Sequence, residues 1–133
     1  VITAVDSNIL LDLLTGSAEH GPRSATALRR AAADGALIAS TSVWAEVIGA
    51  YADPGSVMSR LDRLGIELVP DDRQVAMEAG RVYRAYRTAG GTRRRILPDF
   101  LIGAHAQVHA DRLLTRDRGF YRSHFGRLLI LEP

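Results

Sequence analysis

Cysteine is absent from this chain of 133 residues, which excludes disulfides, thiolate metal centres and cysteine nucleophiles. Lysine is absent too: all 17 basic residues are arginine, set against 15 acidic ones, for a formal net charge of +2. That small excess permits a polyanionic partner without requiring one. Each arginine nevertheless carries a flat fork of donors suited to phosphate or carboxylate. No apolar run approaches the roughly 18–20 residues that a membrane-crossing helix needs, and no signal-peptide pattern opens the sequence. A reducing cytoplasm and no membrane partner are therefore expected. Internal repeats, low-complexity tracts and long linkers are missing as well, so residues 1–133 read as one domain.

What is present is ordinary globular material, 47% hydrophobic and 24% charged, which argues against disorder. Short apolar runs at Val1–Val5, Ala36–Ala39, Ile66–Val69, Arg112–Thr115 and Leu128–Leu131 read as buried strands. Between them lie helical stretches. Ser7–Leu14 ends at Gly16, and a second helix opens near Pro22 and closes at Gly35. Thr41–Ala50 is followed by turn chemistry at Asp53-Pro54-Gly55, then by a short helix through Val57, Leu61 and Leu64. Val75, Ala79, Val82 and Tyr86 recur at helical spacing within Asp71–Ala89. Pro98–Ala110 is expected to turn Leu101, Ala104 and Val108 inward, and Gly119–Phe125 makes a last helical turn. Strands alternating with helices predict an α/β/α sandwich around a central, mostly parallel twisted sheet of four to five short strands. In such sheets ligands bind beyond the carboxyl ends of the strands.

Four acids fall near those ends. Asp6 closes the first strand, Glu46 lies in the helix after the second, Asp99 opens the helix before the fourth, and Asp117 follows the fourth. Each also has a structural reading. Asp6 can cap a helix, Asp99 can favour a helix's positive end, and Asp117 sits in turn composition. Glu46 lies in the otherwise apolar Val43-Trp44-Ala45-Glu46-Val47-Ile48, where an unpaired carboxylate is costly. Asp99 poses a topological question, because a helix entering the next strand is expected to start at the opposite edge. Gathered in one pocket, carboxylates must protonate, pair with arginine or bind a cation. Hard oxygen donors without cysteine point to Mg²⁺ or Mn²⁺, and such a pocket suits hydrolysis of a phosphodiester.

Four segments carry a family likeness: Val5-Asp6-Ser7-Asn8-Ile9-Leu10-Leu11, Ser42-Val43-Trp44-Ala45-Glu46, Leu97-Pro98-Asp99-Phe100-Leu101-Ile102-Gly103-Ala104-His105-Ala106, and Leu113-Leu114-Thr115-Arg116-Asp117-Arg118-Gly119-Phe120. In this order and spacing the sequence resembles PIN-domain ribonucleases, most closely the VapC toxin branch of bacterial toxin–antitoxin pairs. The resemblance implies a Mg²⁺- or Mn²⁺-dependent endoribonuclease with Asp6, Glu46, Asp99 and Asp117 as catalytic, metal-binding acids. It also implies a chain path that brings Asp99 to the other three. By motif position Ser7, Asn8 and Thr115 become supporting polar residues. The expected partners are RNA and a cognate, VapB-like antitoxin whose tail blocks the groove, in a homodimer or toxin–antitoxin hetero-oligomer.

Arg93-Arg94-Arg95 and Arg116 stand near the acids and read as RNA phosphate contacts or as solvated charge. His105 and His109 have zinc-ligand spacing, but Ala106 breaks the metalloprotease pattern, so structural roles are expected. Two other readings remain. A catalytically silent RNA- or protein-binding module would keep the fold and use the acids structurally. A phosphoaspartate receiver or phosphatase would need a second acid beside Asp6 and a late lysine, and neither is present.

Overall fold

The computed structural model describes residues 1–92 and 95–133. Along these residues the elements run β1 (Ile2–Val5), α1 (Ser7–Thr15), α2 (Gly21–Asp34), β2 (Ala36–Ala39), α3 (Thr41–Gly49), α4 (Pro54–Arg63), β3 (Ile66–Leu68), α5 (Arg73–Thr88), α6 (Leu97–His109), β4 (Arg112–Leu114), α7 (Arg118–His124) and β5 (Leu129–Leu131). All strand pairings are parallel, in the order β3-β2-β1-β4-β5. The expected parallel α/β sheet is what the chain forms.

That strand order positions the site. From β1 the chain steps outward through β2 to β3, then crosses back to lay β4 and β5 on the other side of β1. Right-handed crossovers made in opposite directions send their helices to opposite faces. Thus α1–α4 cover one face and α5–α7 the other, with α1 against α2, α5 against α6, and α6 against β1 and β4. Strand order reverses between β1 and β4, so the connections leaving those two strands part at their carboxyl ends, the place where ligands bind in such sheets.

Local chemistry fixes the helix starts. The side chains of Asp6, Ser40, Asp53 and Asp72 each accept a backbone N–H at the start of α1, α3, α4 and α5. Asp53-Pro54-Gly55 is therefore a helix start and not a free turn: Asp caps and Pro supplies the first helical φ, using residue types that turns also favour.

Helix α6 departs from the expected single inward stripe. Ala104 is buried but Leu101 and Val108 are half-buried, whereas Phe100, Ile102, Gly103, His105 and Ala106 are buried. It lies between the sheet, α5 and α3, so its apolar surface runs around most of the helix. Its direction also corrects the expectation for Asp99. Only Ala110 and Asp111 link α6 to β4, and Asp111 bonds with Ile2 at the amino edge of the sheet (2.7 and 2.9 Å). A helix that feeds a parallel strand this directly ends at the amino edge and so begins at the carboxyl edge. The preceding α5 is antiparallel to α6. Asp72 ahead of α5 meets His109 in the last turn of α6 at 2.8 Å, and Tyr86 near the end of α5 packs on Phe100 with ring centres 5.2 Å apart.

Candidate active site

Asp6 stands at the switch point itself. Its backbone N–H donates to the Leu114 carbonyl at 3.0 Å, tying the end of β1 to the end of β4. The side chain is 4% exposed. One carboxylate oxygen accepts the Ser7 N–H at 2.7 Å; the other accepts the Thr115 hydroxyl at 2.7 Å and the Asn8 amide at 3.3 Å. Burial pushes the Asp6 carboxyl above its ordinary range; bonds from Thr115, Ser7 and Tyr121 pull it back, and the nearby Glu46 charge raises it further. Among the described residues no arginine pairs with it. Asp6 is a buried carboxyl whose donors among the described residues are neutral.

The supporting residues of the sequence reading surround it. Thr115, buried at the end of β4, donates to Asp6 and accepts the Asp117 N–H at 2.9 Å, so one hydroxyl sets both acids. Asn8 also donates to Thr115 (3.3 Å) and accepts the Arg116 N–H (3.2 Å), which staples the first turn of α1 to the loop after β4. Ser7 donates to Glu46 at 2.6 Å and lies 3.4 Å from Asp6, bridging the two acids.

Glu46 differs from its expected setting. Helix α3 starts at a Ser40 cap, turns Val43, Trp44 and Val47 into the core and leaves Glu46 exposed, within reach of Ser7. The apolar neighbours in sequence are not its neighbours in space. Asp99, half-buried in the first turn of α6, accepts the Ile96 N–H at 3.1 Å and caps the helix that carries it. Asp117 receives both prongs of Arg95, at 2.6 and 3.3 Å. The Arg95 guanidinium also lies over the Phe120 ring, 4.5 Å from its centre, within the field of Asp99.

Two residues of the site escaped the sequence reading. Tyr121 of α7 is buried. Its hydroxyl hydrogen-bonds Asp6 and stands in the joint field of Asp6, Asp99 and Asp117, so burial and these charges suppress its ionisation. At any physiological pH it serves Asp6 as a proton donor. Its four-residue spacing from Asp117 across a helical turn is the signal that points to it. The second is Asp12, buried in α1, which takes the fork of Arg116 at 2.8 and 3.0 Å and the Ser24 hydroxyl at 2.7 Å. Burial alone would raise the Asp12 carboxyl; the bonds and charge of Arg116, with Ser24, hold it below its ordinary range. Arg116 is thus engaged inside the protein. The other arginines read as RNA contacts, Arg93 and Arg94, lie outside the described residues.

His105 is structural: buried in α6, its Nε2 meets the Val69 carbonyl at 2.7 Å.

Among the described residues no three acidic or histidine side chains are disposed to share one ion. The donor set nonetheless fits a hard dication. Asp6 is buried without a cation, Asp117 already attracts a cationic group, and every donor is oxygen. Mg²⁺ takes only one or two protein carboxylates and completes its shell with water.

This is an α/β protein with acidic side chains gathered at the switch point of a parallel sheet. Residues 3–125 match the family model described as the PIN domain; the chain belongs to that family. Solved structures share the fold over almost the whole chain. VapBC2 from Rickettsia felis, bound to a DNA fragment from its promoter, is 20% identical with a TM-score of 0.76, covering 99% of this chain and 98% of that one. VapBC-1 from nontypeable Haemophilus influenzae is 15% identical with a TM-score of 0.75 and the same coverage. A toxin-antitoxin complex from Klebsiella pneumoniae is 22% identical with a TM-score of 0.69, covering 97% and 95%. No curated protein matches the chain in sequence.

Proposed function

We propose that this chain is a Mg²⁺- or Mn²⁺-dependent endoribonuclease that acts as the toxin of a toxin–antitoxin pair, with residues 1–133 working as one PIN-like domain. The observation that carries this reading is the Thr115 hydroxyl, which donates to Asp6 at 2.7 Å and accepts the Asp117 N–H at 2.9 Å, joining two acids from separate stretches of a PIN-family chain. Asp6, Glu46, Asp99 and Asp117 are the residues that would hold the ion, with Ser7, Asn8 and Thr115 in support. When bound, the ion supplies charge that neutralises the scissile phosphate and makes a water more acidic.

The chain's own residues do the rest. Thr115, Asn8 and Tyr121 donate to Asp6 and fix its carboxylate. Ser7 ties Glu46 to the same cluster. Arg95, beside the acids, is the cation among the described residues best situated to meet RNA phosphate, a contact that positions a strand without reading its bases.

A VapB-like antitoxin whose tail covers the groove is the proposed protein partner, in a hetero-oligomer or with a homodimer of this chain. The VapBC assemblies and the Klebsiella pneumoniae toxin-antitoxin complex, similar in fold, support that choice. No helix among the described residues is long and apolar enough to cross a membrane, and a cytoplasmic site of action goes with the reading.

Purified protein should cut RNA with Mg²⁺ or Mn²⁺ and stop in excess chelator. Asp99→Asn should lower the rate by about a hundredfold or more while leaving the circular dichroism unchanged. Undiminished cleavage by that variant, or cleavage in chelator, would defeat the proposal. The Arg95–Asp117 pair favours one second reading, a silent RNA-binding module. That reading requires RNA binding with no divalent-ion effect on the melting temperature.

A further inference from the structure

Asp6 and Asp117 share a hydroxyl, that of Thr115, yet are treated oppositely: Asp6 has only neutral donors, while Asp117 holds a two-pronged arginine. The arginine comes from the loop ahead of Asp99, so it spans two of the acidic stretches. We infer that Arg95 is an in-chain counter-cation for Asp117, which a divalent ion displaces when it binds. This rests on the metal-dependent reading above.

Three features fit Arg95 to exchange. The side chains of Arg95 and Asp117 are 34% and 36% exposed, so water screens the pair and keeps it weak. The Asp12–Arg116 pair is the contrast, with its carboxylate 7% exposed and a third partner in Ser24. Second, Arg95 lies on a non-helical segment, outside the rigid body of α6. Third, the guanidinium rests on the Phe120 ring. A cation–π contact of this kind is independent of Asp117 and gives the fork a resting place beside the acids after it is displaced. Its flat donor array also suits a phosphate. Arg95 would thus keep the acids from repelling one another before the ion arrives, at the cost of competing with it.

Mn²⁺ binding measured by electron paramagnetic resonance of the free ion reads this directly, without RNA or activity. Arg95→Gln should bind Mn²⁺ about two- to fivefold more tightly than the unaltered protein, the weight of a screened ion pair. Arg95→Lys keeps the charge but loses the fork and should fall between. Arg118→Gln removes a nearby charge that pairs with Glu132 instead, and should leave the affinity unchanged. Equal or weaker binding by Arg95→Gln, or an equal gain from Arg118→Gln, overturns the inference while leaving the metal reading intact. If neither the unaltered protein nor Arg95→Gln binds Mn²⁺, both fall.

Discussion

Residues that look alike in sequence have separate fates here because their partners differ. Asp6 and Asp12 are both buried acids of one helical segment, and their carboxyls move in opposite directions. Asp12 is depressed by Arg116 and Ser24, so it stabilises the fold above its unfolded value near 3.8, and that contribution is lost as pH falls through the lower folded value. Arg116→Gln, which leaves Asp12 buried without its cation, should cost about 2 kcal/mol at pH 7 in urea unfolding. It should also flatten the acid limb of the stability–pH curve, and an unchanged limb would refute the assignment. Tyr121→Phe removes one donor from Asp6 without emptying volume. If Tyr121 positions that carboxylate, the variant should lose about tenfold in Mn²⁺ affinity and keep its circular dichroism spectrum.

Elements show where sequence reading reached and where it stopped. Each strand and helix was visible in the apolar spacing and the Gly and Pro punctuation, with ends displaced by a residue or two except at α4, which starts at Pro54 inside the segment that reads as a turn. The burial of α6 was not, because periodicity reports one buried face and this helix has several. The apolar setting expected for Glu46 differs for the same reason in reverse: Val43, Trp44 and Val47 are turned into the core while Glu46 stays exposed. Tyr121 had a signal in its four-residue spacing from Asp117, and Arg95 was legible as a charge near the acids, but its pairing with Asp117 depends on how the segment before α6 lies against the loop after β4. Within α6, Gly103 faces the Phe125 ring so closely that a Cβ would overlap it. Gly103→Ala should therefore destabilise by about 1–3 kcal/mol through overpacking, despite alanine's better helix propensity. His105 supplies a pH test of the same helix. Burial lowers its pKa against the pull of Val69 and Asp71, with His109 and Asp72 nearby. A depressed histidine stabilises fully above its unfolded value near 6.5 and less as pH falls below it. Unfolding free energy should accordingly drop between pH 7.5 and 5.5, and His105→Gln should reduce the drop.

At the scale of the molecule, the meeting of Asp6 with the loop after β4 is a product of strand order and not of any one segment. Reversal between β1 and β4 places Asp6 beside Thr115 and Asp117, and the α5–α6 hairpin brings Asp99 to the same edge. The four motifs were legible as residues; their convergence required the topology, which local periodicity does not contain. Asp6 is buried beside neutral donors, so an ion that binds the folded site alone should stabilise the whole protein. At one hundred times its dissociation constant, Mn²⁺ should add about 2.7 kcal/mol and raise the melting temperature by several degrees, reversibly with chelator. Because burial has raised the Asp6 carboxyl, protons compete for the same oxygens, and the Mn²⁺ shift should shrink on going from pH 7 to pH 4.5. Asp6→Asn should abolish the shift at both values. A shift that survives in Asp6→Asn would locate the ion elsewhere, and a shift that grows in acid would mean that the buried carboxylate is not where the ion is held.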